Sequence, residues 1–429
     1  MKVAIIGGGG VRTPLLVRGL ADSDLPIGEI ALFDTDAERL AVIGPLASTF
    51  APSVRIHRDA TSCVAGAEFV VLAIRVGGIA ARARDEAIAL AHQVVAQETV
   101  GAAGFAMAMR TVPAAIDYAR LVGAAAPNAW IVNFTNPVSI VTQAMAGATR
   151  ARVVGICDTP TELFEAVAQV LGIDGSRCFF DYFGLNHLGW LREVYCDGVP
   201  QLSRLWRDAA SIARVYRVPL FDAGFLQSLG MVPSEYLFYY YRPDAARQNV
   251  QQAGRTRGAT VAALNDQLFH DLAQTAADGP AIYQRYLQAR NDTYMQIEAG
   301  VARPTASSVG AGLTGYDKIG VSVIRAIHRH ANAIIPLNVR NRGAVRDLDA
   351  DDIVEVPCVV NANGPHPLAV GDVPESVQDL LMRVKDFEWL TLHAASTRDD
   401  ADAALALARH PLVDDGELAK RLVQALKPW

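Results

Sequence analysis

Two short stretches put good metal ligands beside apolar, strand-like runs. Cys157-Asp158-Thr159-Pro160 follows Val153-Val154-Gly155-Ile156, and His187 lies within Gly184-Leu185-Asn186-His187-Leu188-Gly189-Trp190. A thiolate and an imidazole suit a borderline divalent ion. Two protein ligands leave coordination positions open, as a catalytic ion needs if substrate oxygens are to complete its shell. Taken singly, each residue also has a plain structural reading, as a buried strand-end thiol and a satisfied core histidine. A third stretch, Lys2-Val3-Ala4-Ile5-Ile6-Gly7-Gly8-Gly9-Gly10, reads as a strand running into a glycine turn. Gly7 and Gly9 allow a tight turn and close approach of backbone N–H groups to a pyrophosphate, with a following helix pointing its positive end at that anion. Arg12 stands where the fingerprint expects a third glycine. Asp34 ends the second strand, 22 residues past Arg12, where a carboxylate takes adenosine ribose hydroxyls and repels a 2′-phosphate. That favours NAD, and NAD beside Cys157 and His187 points to metal-assisted redox chemistry.

These groups need elements to position them. Strand runs are expected at Val3 to Ile6, Glu29 to Phe33, Val54 to His57, Phe69 to Ile74, Ala129 to Phe134 and Val153 to Ile156. Helical patterns such as Pro14 to Leu20, Ala83 to Val95 and Val112 to Ala125 alternate with them. The class is α/β: an N-terminal Rossmann-like, doubly wound parallel sheet, followed by a C-terminal mixed α+β domain. Ligands of such sheets bind beyond the carboxyl ends of the strands. Gly7 to Gly10, Asp34, Arg75, Asn136 and Cys157 all fall there. The expected division is 1–157 for the NAD-binding domain and 158–429 for a domain of substrate binding, metal binding and oligomerisation. In the second, Cys178 to Val199 reads as a hairpin with Asp197-Gly198 as turn. Arg257 to Gln274, Ala281 to Glu298 and Gly320 to Ala331 read as helices. Asp351 to Pro367 has β character, and Ser376 to about Leu426 is mostly helical.

At 429 residues the chain is too long for one compact core. It is 51% hydrophobic and 20% charged, the balance of a globular protein. The net charge of −6 and the lack of a Lys/Arg block argue against a nucleic-acid partner. No apolar run is long enough to span a bilayer, and no leader-like segment precedes the first strand. Five scattered cysteines are an odd count that argues for a reducing cytoplasm rather than a disulfide scaffold. Cys178, Cys196 and Cys358 show no partner motif and read as packing residues.

The chain resembles glycoside hydrolase family four, the NAD- and manganese-dependent glycosidases. The resemblance rests on Ile6-Gly7-Gly8-Gly9, Ile74-Arg75-Val76-Gly77-Gly78, Gln97-Glu98-Thr99 and Asn133-Phe134-Thr135-Asn136-Pro137. It continues through Cys157-Asp158, Gly184-Leu185-Asn186-His187, Pro233-Ser234-Glu235-Tyr236-Leu237-Phe238-Tyr239-Tyr240 and Thr256-Arg257. It implies that Cys157 and His187 bind the ion and that Asn136, Arg82 and Arg257 contact the sugar. It further implies Tyr236 as the base for the C2 proton, Glu98 as a group tuning that tyrosine, and Asp158 as an acid for the leaving oxygen. Gly7, Gly8, Gly9, Asp34 and Arg75 are left for the cofactor. In the implied reaction the sugar is oxidised at C3, deprotonated at C2 and loses its aglycone, and water then adds before the hydride returns. The family is an exception to two-carboxylate glycosidase chemistry. This chain departs from its pattern at Gly10, often serine or threonine, and at Gly101-Ala102-Ala103-Gly104, often Gly-Pro-Gly-Gly. The second departure bears on the shape of a loop expected near the nicotinamide.

Within the resemblance the implied substrate is a 6-phosphorylated glucoside. Val354 to Val360 and the chain length favour the β branch, while the aspartate after Cys157 favours the α branch. An unphosphorylated glycoside is a further alternative. Outside the family, an NAD-dependent hydroxy-acid dehydrogenase or a non-catalytic NAD sensor would share the N-terminal fold. A homodimer or homotetramer in the cytoplasm, with no nucleic-acid or membrane partner, completes the expectation.

Overall fold

Short runs dominated by Val, Ile, Leu and Ala, apolar on both faces, form strands that must be covered on both sides. In the computed structural model, which describes residues 1–207, 209–274, 278–300 and 315–429, these runs become β1 (Lys2–Ile6), β2 (Glu29–Phe33), β3 (Val54–Ile56), β4 (Phe69–Leu72), β5 (Trp130–Asn133) and β6 (Arg152–Gly155). All pair in parallel, in the order 3-2-1-4-5-6 of a doubly wound dinucleotide fold. The strand order reverses between β1 and β4, where the glycine turn emerges.

β4 stops two residues before the expected end. The Thr135 hydroxyl donates to Leu72 O at 3.0 Å and accepts from Ile74 N–H at 3.0 Å, which replaces ladder pairing and turns the chain outward. The helix expected at Ala83 to Val95 runs from Gly78 to Ala91; left-handed Gly77 caps its start, and Gln93 at φ +62° follows its end. The Gly101–Gly104 stretch is not a loop. It forms the first turn of a helix from Gly101 to Ala125, of which Val112 to Ala125 is only the second half.

The second half of the chain supplies an antiparallel hairpin of β7 (Cys178–Leu185) and β8 (Leu188–Cys196), flanked by β9 (Val199–Pro200) and β10 (Val232–Pro233). Its tight turn is Asn186-His187; the expected Asp197-Gly198 turn joins β8 to β9 instead. Cys178 and Cys196 face one another in this ladder, and all five cysteines are free. Three further strands, β11 (Ala333–Arg340), β12 (Ile353–Asn361) and β13 (Gly364–Pro367), continue the N-terminal sheet antiparallel beyond β6 to nine strands. The helix expected at Ala281 to Glu298 ends at Asp292. Left-handed Met295 separates it from a short turn at Gln296–Ala299, so Tyr294 leaves the helix and lines the central cavity. Among the described residues no helix is long and apolar enough to cross a membrane.

Candidate active site

The carboxyl ends of β1, β2, β4, β5 and β6 open into a cavity of about 700 Å³, closed from the other side by the β7–β8 turn and by residues between Arg217 and Glu298. Gly7, Asp34, Arg75, Arg82, Glu98, Asn136, Cys157, Asp158, His187, Tyr236 and Arg257 all line it. Residues separated by more than 200 positions are therefore brought into one chamber.

Gly7, at φ +94°, passes so close to β4 that a Cβ there would lie 2.4 Å from Ala73 O. The glycine amides are engaged within the turn rather than pointing at an anion. Gly7 and Gly8 N–H donate to Phe33 O at 2.9 and 2.8 Å, and Gly9 N–H donates to Asp34 Oδ2 at 2.8 Å. The glycines thus contribute closeness of chain, and they pin Asp34, which also accepts from Asp36 N–H at 2.9 Å. A cradle that tolerates no Cβ, with a fixed carboxylate at its rim, fits an adenine dinucleotide.

Cys157 follows β6, and burial pushes its thiol well above the usual range, as do the charges of Glu355 and Asp158. His187 sits at φ +63° in its turn, with its imidazole flat against the Tyr236 ring, centroids 3.7 Å apart and planes 3° from parallel. Burial lowers His187 to about 4, so it is neutral near pH 7 and able to ligate. Among the described residues no group of three or more His, Cys, Asp or Glu side chains could hold a metal, so an ion here would rest on this pair. Asn136 Oδ1 is buried in the same chamber with no protein partner, an acceptor left for a ligand. A soft thiol, a neutral imidazole and nearby unmatched oxygen suit a divalent transition ion.

Glu98 is clamped between two guanidinium groups, 2.7 Å from Arg75 and 2.8 Å from Arg82, and Arg82 also bonds Glu86 at 2.8 Å. Burial would raise the Glu98 carboxyl, but Arg75, Arg82 and Arg290 outweigh it and hold it at about 2. The charge of Glu98 itself works against a tyrosinate at Tyr236. Its contribution is therefore to hold Arg82, whose cation does favour one. Arg75 is likewise tied to Glu98.

Burial and Glu235 push the Tyr236 hydroxyl well above 10, and the bond to Tyr294 opposes them. A cation in the chamber would bring it back down. Burial and Glu162 raise Asp158 to about 6, against the pull of Arg12 and Arg217, which brings its protonation closer to neutral pH. Arg257 donates to Arg290 O at 2.9 Å and to the Thr293 hydroxyl.

Several lining groups are given no role by the sequence. Arg12, the apparent defect in the glycine fingerprint, is a cation of this cavity. Arg290 is a second: burial, with the charges of Arg12, Arg257 and Arg82 around it, depresses it to about 10. Tyr294 links Tyr236, 3.4 Å away, to the Glu235 carboxylate, which burial and Glu162 raise to about 7. The signal available for Glu235 is its place beside Tyr236 in the tyrosine segment. Tyr239 is buried in the wall, Tyr240 reaches His410, and Tyr241 accepts from Trp190 Nε1 at 3.0 Å, so these three serve packing and lining.

Residues 2–173 match the sequence model described as "Family 4 glycosyl hydrolase", and residues 182–413 that described as "Family 4 glycosyl hydrolase C-terminal domain". The chain is 31% identical, over 99% of its length and 95% of the relative's, to a Bacillus subtilis protein named "Probable 6-phospho-beta-glucosidase". It superposes with TM-score 0.83 and 26% identity on a 6-phospho-beta glucosidase of Thermotoga maritima solved with manganese, NAD+ and glucose-6-phosphate; 99% of this chain and 97% of that one are covered. A 6-phospho-alpha-glucosidase from gut microorganisms, solved with NAD and glucose-6-phosphate, gives the same TM-score and coverage at 27% identity.

Proposed function

The chain belongs to family 4 of the glycosyl hydrolases, and on that premise we propose that it hydrolyses a 6-phospho-β-glucoside with NAD and a divalent metal, manganese foremost. The observation that carries the phosphorylated substrate is the gathering of Arg12, Arg82, Arg257 and Arg290 around the chamber that holds Cys157, His187 and Tyr236. Burial and cationic neighbours depress Arg257 and Arg290, which an anion would relieve, and their planar forks suit phosphate oxygens. The dehydrogenase reading gives way to the family, and an NAD sensor would have no use for a catalytic tyrosine against a ligating histidine.

When bound, NAD supplies the hydride acceptor for the sugar C3, and the metal, held by Cys157 and His187, supplies the charge that acidifies the C2 proton. Tyr236 takes that proton. Asn136 holds a sugar hydroxyl, and Arg82 and Arg257 fix the sugar and its phosphate. Asp158 gives a proton to the departing oxygen. Gly7, Gly8, Gly9 and Asp34 seat the cofactor, and Arg75 braces Glu98 at its edge. The NAD-binding unit is taken as 1–157, with 158–429 supplying the metal and sugar sides. Five free cysteines support a cytoplasmic setting, and the exposed Trp389 and Leu405 give apolar surface for a homodimer or homotetramer.

The test is a panel of nitrophenyl α- and β-glucosides, with and without 6-phosphate, assayed with NAD and manganese. The 6-phospho-β-glucoside should be turned over best, and Arg257→Ala should lower kcat/KM for it by about 2–4 kcal/mol, as for one partner of a buried charged contact. Equal turnover of phosphorylated and plain glucosides would refute the phosphate reading. A preference for the α anomer is the second reading, favoured by Asp158 after the ligand cysteine and by the likeness to the 6-phospho-alpha-glucosidase.

Asp158 can be tested separately. An acid matters when the leaving oxygen is a poor leaving group. Asp158→Asn should therefore slow natural disaccharide phosphates by about 10²–10⁴ and barely affect nitrophenyl substrates. Equal slowing of both classes would show that Asp158 orients the metal or the sugar instead.

A further inference from the structure

We infer that Gln97 and Thr99 form a hydrogen-bond relay that fixes His187 as the Nδ1–H tautomer and so presents Nε2 to the metal, which makes Thr99 a positioning residue. The inference rests on His187 being a ligand, and the relay begins at Gln97. Its Oε1 accepts from Thr99 N–H at 2.6 Å, Val100 N–H at 3.0 Å and the Thr99 hydroxyl at 2.8 Å. Two backbone donors identify that amide atom as the oxygen, since an NH2 group there would face N–H groups. The single proton of Thr99 Oγ1 is thereby committed to Gln97. Toward His187 Nδ1, 2.8 Å away, the same oxygen can only accept. Nδ1 must carry the ring proton, and in a neutral imidazole this leaves the lone pair on Nε2.

The rest of the surroundings removes the remaining freedom of the ring. The β7–β8 turn sets its backbone at φ +63°, and Tyr236 lies flat against one face. Gln97 is 6% exposed, so water does not compete for its carbonyl. A donor–acceptor contact at the far nitrogen orients a ligand histidine and raises its basicity, and losing it typically weakens metal affinity about 10–100-fold.

The relay is tested first without metal, by the two-bond ¹H–¹⁵N spectrum of the native protein labelled at histidine. His187 should show a protonated Nδ1 and an unprotonated Nε2, and the opposite tautomer would overturn the inference. Manganese affinity is then measured by electron paramagnetic resonance for the native protein, Thr99→Val, Thr99→Ser, Gln97→Leu and His187→Ala, with NAD affinity as a check on folding. Thr99→Val and Gln97→Leu should bind manganese about 10–100-fold more weakly, while Thr99→Ser, which keeps the hydroxyl, stays near the native value. Native affinity in Thr99→Val beside weak binding in His187→Ala would sink the relay but keep the ligand. Native affinity in His187→Ala would sink the ligand assignment itself.

Discussion

Tyr236→Phe should lower kcat by about 10²–10⁴, the usual contribution of a positioned base, with the fold retained. The substitution keeps the ring that stacks on His187 and removes only the hydroxyl, whose described partner is Tyr294 at 3.4 Å. A second readout separates base loss from a packing defect. In deuterated water the native enzyme should release sugar carrying deuterium at C2, because the proton taken by Tyr236 exchanges with solvent. The variant should lose C2 exchange in step with turnover. Undiminished kcat in Tyr236→Phe, or native product without C2 label, would remove the elimination route and return the enzyme to direct displacement.

Cys157→Ser and His187→Ala should each abolish measurable turnover while leaving the Tm close to native. Replacing a ligand outright should weaken metal affinity by more than the roughly 10–100-fold attached to its supporting contacts. Chelation should bring the native protein to the same inactive level, and added manganese should restore the native protein but not the variants. Full activity of Cys157→Ser after exhaustive chelation would sink the site. The pair has little structural reason to be where it is. Cys157 holds its thiol among acidic neighbours that disfavour thiolate, and His187 occupies a left-handed position that a β-hairpin turn would more comfortably fill with asparagine or glycine.

What could be read in advance followed from local physics. Parallel strands buried on both faces must be continuous apolar runs, so β1, β2, β4, β5 and β6 stand out, and the polar groups just past their ends fall where the chamber is. Turns were harder. Asp197-Gly198 carries a strong hairpin signature and does turn the chain, yet the turn that matters is Asn186-His187, which lacks glycine. Helix starts were missed where glycine opens the helix, at Gly78 and Gly101, because glycine disfavours helix interiors but is tolerated at the ends. Arg290 and Tyr294 carry no local signal, and Arg12 and Glu235 stand out only as a fingerprint mismatch and a motif neighbour, because the meaning of all four lies in mutual proximity across the chain. Glu98 was legible as a site residue but not as a clamp, since its two arginine partners lie 23 and 16 residues earlier. The joining of β11 to β6 left no mark either, because the residues that meet, Asn338 and Gly155, belong to segments with no shared pattern.

That junction has a bearing on how such a protein can be rebuilt. Because β6 is paired on both sides, the nucleotide-binding half is not a detachable cassette. A gene fragment stopped at residue 157 would convert an interior strand into a bare, apolar edge, the kind of surface that templates aggregation. It would also strip away Lys385, whose ammonium donates to Ile353 O at 2.7 Å and pairs with Glu388, which in turn accepts from the Ser139 hydroxyl at 2.8 Å in the N-terminal half. Chimaeras with related enzymes would therefore do better to exchange loops at the mouth of the chamber than to swap halves.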